Sequence, residues 1–137
     1  GLREISYLPS LKLETVNQGL NVRKDWAQQH PDLVLSFLKA WIEGAKEART
    51  DVAGTKAIIS KYAELTDPVQ LDDTYKTALA GWAAYPLPKD SQFQNVISLS
   101  TDEKVKTHKP SDFYDDSYLK QLDGFVKSLY PEGVPTL

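Results

Sequence analysis

The passage that most constrains this chain is QQHPDLVLSFLKAWIEGAKEA, Gln28 to Ala48. After Pro31, apolar residues recur at steps of three and four: Val34, Phe37, Leu38, Trp41, Ala45 and Ala48. That spacing places them on one face of a long helix. Proline suits the first turn of such a helix, because the amide it lacks has no intrahelical acceptor there. A fold built on this segment is organised around one long amphipathic helix.

The flanking segments extend the helical pattern. Arg23 to His30 reads as a short helix. Thr50 and Asp51 offer caps for another, with Val52, Ile58, Ile59, Tyr62 and Ala63 as its buried side. Asp67 before Pro68 opens a third, with Leu71, Tyr75, Ala78, Leu79 and Trp82 as its stripe. AAYPLPKD then breaks the run, since its two prolines favour an extended loop. SQFQNVISLS gives a shorter helix, and Tyr118, Leu119, Leu122, Phe125, Val126 and Leu129 form a last stripe.

Two places read as strand. In ETVNQGLNV, Thr15, Val16, Leu20 and Val22 favour an extended chain interrupted at Gly19, and Glu4 to Tyr7 gives a second short candidate ended by Pro9. The residues alone stop at a soluble, mostly helical domain; with one or two short strands followed by about five helices, the expected class is α/β, predominantly helical. The whole of 1–137 is expected to form one unit, with the strand candidates in 1–22 and the helical segment in 23–137. At 137 residues, one core of ordinary size needs no staples.

Composition narrows the function classes. Net charge is −3 with both signs interleaved, so the broad positive field of a nucleic-acid binder is missing. There is no cysteine, which removes disulfides and thiolate chemistry and leaves the redox compartment open. The sequence starts at Gly1 and contains no methionine, a pattern expected of a processed chain or a piece of a longer one.

No motif for an autonomous enzyme is present. His30 and His108 are the only histidines, and neither is read as a metal ligand or a general base. His30 reads as a junction residue, its neutral ring accepting from an amide of the next helix's first turn. Asp72-Asp73 and Asp115-Asp116 read as first-turn charges at helix starts, because neighbours on a helix point about 100° apart and do not share a site. The Gly-Thr-Lys of DVAGTK lacks the rest of a phosphate loop and reads as helix. Trp26, Trp41 and Trp82 read as core, with an aromatic ligand wall as the minor alternative. Asn17 and Gln18 point to opposite faces of the expected strand, so whichever meets a cleft offers a ligand both a donor and an acceptor. No metal site and no cofactor are expected.

The order of elements, with His30-Pro31-Asp32, Lys109-Pro110-Ser111-Asp112-Phe113, Asp115 and Tyr118-Leu119, resembles the C-terminal part of periplasmic solute-binding proteins of the nitrate, sulfonate and taurine class, relatives of the thiamine-pyrimidine precursor binders. The resemblance spans nearly the whole chain, through motifs that are structural joints rather than ligand contacts. It implies the C-terminal portion of a type II periplasmic-binding-protein fold, a two-lobed Venus flytrap whose first lobe this segment completes, with 1–22 as a crossover and strand segment. The implied function is capture of a small anionic or zwitterionic solute (a sulfonate, taurine, nitrate or a pyrimidine precursor) for delivery to a membrane ABC permease. The implied location is the periplasm, or the outer surface of a single-membrane bacterium as a lipoprotein. An exposed sheet edge would also allow a dimer.

Two other readings stand beside it. One is an independent helical protein-interaction domain, which has no use for the strand. The other is a fragment of a pyrimidine-synthase-like enzyme, whose reactive residues the resemblance places outside this chain.

Overall fold

The computed structural model describes residues 14–16 and 19–135. Its elements are α1 (Lys24–Gln29), α2 (Pro31–Thr50), α3 (Val52–Ala63), α4 (Pro68–Gly81), α5 (Asp90–Leu99), α6 (Glu103–Lys106), a 3-10 turn at Pro110–Asp112, α7 (Ser117–Lys120) and α8 (Asp123–Leu129). No strand occurs among the described residues, which are helical or irregular throughout.

This corrects the expected α/β class and, with it, the strand-containing type II binding fold. The segment around Val16 to Val22 is irregular where it is described, and Val16, Leu20 and Val22 are exposed. Strand propensity is realised only where a neighbouring strand pairs the backbone and a layer covers the side chains. Among the described residues no strand pairs with this segment. The second strand candidate, Glu4 to Tyr7, lies outside the described residues. With no sheet among the described residues, there is also no sheet edge here for a second copy to extend.

The chain divides into two compact units, Gly1–Arg23 with Leu87–Asp116, and Lys24–Pro86 with Ser117–Leu137. The larger, second unit is built on α2. His30, at φ −131° and ψ 51°, leaves the helical region as a residue before proline tends to, and Pro31 restarts the helix. α2 ends twenty residues later at Asp51. The Asp51 amide donates to the Glu47 carbonyl (2.8 Å), while its carboxylate accepts from the Gly54 amide (2.9 Å), so one residue closes α2 and opens α3. A Cβ at position 54 would meet the Asp51 carboxylate, so a larger residue there would push the capping side chain aside. Asp67 caps α4 through the Val69 and Gln70 amides, both 2.9 Å away.

The core of this unit lies between α2 and the C-terminal helices. Ala27, Val34, Leu38 and Ile42 pack with Leu119, Leu122 and Val126, and Tyr85, Tyr118, Phe125 and Leu129 lie around them. Ile42 is fully buried. Burying a side chain of that size contributes about 1.5–3 kcal/mol. Hydroxyls and cations fasten the rim: Tyr118 Oη donates to the Ala27 carbonyl (3.0 Å), and Lys46 Nζ to the Leu129 carbonyl at the end of α8 (2.8 Å). Tyr85 Oη lies 2.7 Å from the Leu119 carbonyl and 2.5 Å from the Asp123 carboxylate. Arg49 donates to Ala45 of its own helix and reaches the Trp82 carbonyl at the end of α4, placing a cation where that helix's carbonyls lack partners.

In the other unit, α5 packs against α6 and the 3-10 turn. Glu14 ties the N-terminal segment to the start of α5. Its carboxylate accepts from Lys89 Nζ (2.9 Å) and Ser91 Oγ (2.6 Å), and its carbonyl from Asn95 Nδ2 (2.7 Å). These bonds, first from Ser91 and then from Lys89, hold the Glu14 carboxyl below the usual glutamate range.

Candidate functional site

The most distinctive surface of the larger unit is the outer face of α2. Leu33, Phe37 and Trp41 follow one another at four-residue steps and are 56%, 47% and 41% exposed. Each directly precedes a buried residue, Val34, Leu38 and Ile42. Neighbours on a helix stand about 100° apart, so the doublets Leu-Val, Phe-Leu and Trp-Ile generate two apolar stripes. One enters the core and the other faces out. Ala40 and Gly44 lie on the outer side, and a Cβ added at Gly44 would meet nothing within 4 Å, so a partner backbone can approach closely there.

The aromatic groups on this side are ordered by one another. The Phe37 and Trp41 rings are 6.2 Å apart, and Trp41 meets Trp82 edge-on at 5.8 Å. Trp82 Nε1 is buried without an acceptor among the described residues. At the N-terminal end, the Trp26 and His30 rings lie 4.8 Å apart. Leu33, Phe37 and Trp41 themselves are apolar side chains. The strip they form is suited to binding another apolar surface.

The residues expected from sequence fall in several places. Asn17 and Gln18, the expected ligand contacts, lie outside the described residues. Trp26 and Trp41, expected in the core, are each 41% exposed. His30 stands at the helix junction, as expected, but its side chain makes no capping bond and its ring lies against Trp26 instead. Asp72 is not in a first turn: it sits in the second turn of α4, paired with Lys56 of α3 and, at 3.5 Å, with Lys76. Asp115 and Asp116 immediately precede α7.

His108 has a partner that the sequence reading passed over. Asp112, four residues on, places Oδ2 3.3 Å from His108 Nδ1, and the same oxygen accepts from the Lys109 amide (3.1 Å). That amide chiefly, with lesser help from His108, lowers the Asp112 pKa. The contact is exposed, and the described residues contain no group of three metal-binding side chains. It organises the Lys109-Pro110 turn.

The unit containing α5 holds a separate shallow hollow of about 240 Å³, lined by Val16, Phe93, Val96, Ile97, Val105 and Phe113. Its lining is apolar throughout, without the convergent polar groups that orient a small solute, and it is smaller than most ligand pockets. No helix among the described residues is long and apolar enough to cross a membrane. Compared with protein-family models, curated proteins and solved structures, the chain gives no significant match to any of them.

Proposed function

We propose that this chain is the helical part of the solute-binding component of an ABC importer, acting in the periplasm or on the outer cell surface, where it helps capture a small anionic or zwitterionic solute for a membrane permease. The observation that carries the reading is the doubled stripe of α2. A helix carrying two apolar stripes about 100° apart presents a broad apolar arc suited to burial against more than one neighbour, and among the described residues the core covers only one stripe. This is the behaviour expected of scaffold that backs a larger binding body. The motif residues fit the same role: His30-Pro31-Asp32 joins α1 to α2, and Lys109-Pro110-Ser111-Asp112-Phe113 forms a capped turn, so both act as joints.

Isothermal titration of the protein, expressed from its complete reading frame, against taurine, an alkylsulfonate, nitrate and a pyrimidine precursor tests the reading. One saturable site for one of these solutes supports it, and binding weakened by Asn17→Ala with Gln18→Ala places those amides in the site. A folded protein that gives no heat with any of the four overturns it.

A second reading, an independent helical protein-interaction domain, is favoured by one observation: the described part of the segment Glu14 to Val22 contains no strand. The same titration separates the two, since an interaction domain gives no saturable site for any of the four solutes.

A further inference from the structure

We draw no further inference here: the strongest candidate, the outer apolar face of α2 around Leu33, Phe37 and Trp41, belongs to the surface already described, and nothing in the structure shows what covers it.

Discussion

Within the larger unit, the interface of α2 with the C-terminal helices and the hairpin of α3 and α4 are built on different principles. The first is a packed core, with Leu38, Ile42, Leu119, Leu122 and Val126 all buried. The hairpin contains no buried residue in either helix, and Ile58, Tyr62 and Val69 are 60%, 77% and 69% exposed. Caps and ion pairs define it instead: Asp51 and Asp67 at the helix starts, the pair of Lys56 and Asp72 across it, and Arg49 at its far end. Burial of apolar area contributes more than exposed polar contacts do, so the two regions should differ in local stability as well as in construction. Amides of α2 are expected to exchange with the unfolding of the whole unit, and those of α3 and α4 earlier.

The largest effect should come from the core. Ile42→Ala removes a fully buried side chain and leaves a cavity, at a cost of about 2–5 kcal/mol, read as a lower denaturation midpoint. A loss below about 1 kcal/mol would mean that α2 is not packed as described. Arg49→Ala comes next, because it takes a charged donor from the carbonyl end of α4 and severs a link between the two regions. The expected loss is about 1.5–3 kcal/mol, with hydrogen exchange accelerated in α4 more than in α2. Equal acceleration in both would show that the regions unfold as one.

A smaller change tests the hairpin alone. Asp67→Ala frees the Val69 and Gln70 amides and should cost about 1 kcal/mol, while Asp67→Asn retains most of the cap. If the hairpin opens separately, this loss appears in local exchange of α4 and hardly at all in α2.

The contrast between the regions also explains what the sequence made legible. Helix starts were readable because proline and a capping carboxylate act locally: Pro31, Asp51 and Asp67 do in the structure what their chemistry predicts. The last stripe was readable too, since Leu119, Leu122 and Val126 reach the core. Periodicity failed where apolar residues adjoin. Ile58 and Ile59 cannot both face one neighbour, and Ile58 is the one exposed. On α2 the single expected stripe merged two, assigning Phe37 and Trp41 to the face of Leu38; the doublets at 33–34, 37–38 and 41–42 were the signal that separates them. The strand could not be decided locally, because its pairing partner is a tertiary matter. Of the candidate site, the joints were legible from their motifs, whereas an exposed apolar face has the same composition as a buried one.

The finest distinction concerns the ion pair across the hairpin. The hydrogen bond and charge of Lys56, with a weaker contribution from Lys76, hold the Asp72 carboxyl below the ordinary aspartate range. The unfolded chain therefore takes up this proton at a higher pH than the folded one. The stabilisation is fully present above the ordinary aspartate value, about pH 4, and is lost as pH falls through the lower folded value. Asp72 is well exposed, so the effect is the smallest of the series. Asp72→Asn should flatten the acid side of the stability profile slightly and leave it unchanged at neutral pH apart from a constant offset. Glu14 and Asp112, lowered by their own partners in the other unit, keep their acid dependence in this variant. Hydrogen exchange measured along the same titration should place the change in α3 and α4; a change centred on α2 would mean that the ion pair supports the core and not the hairpin.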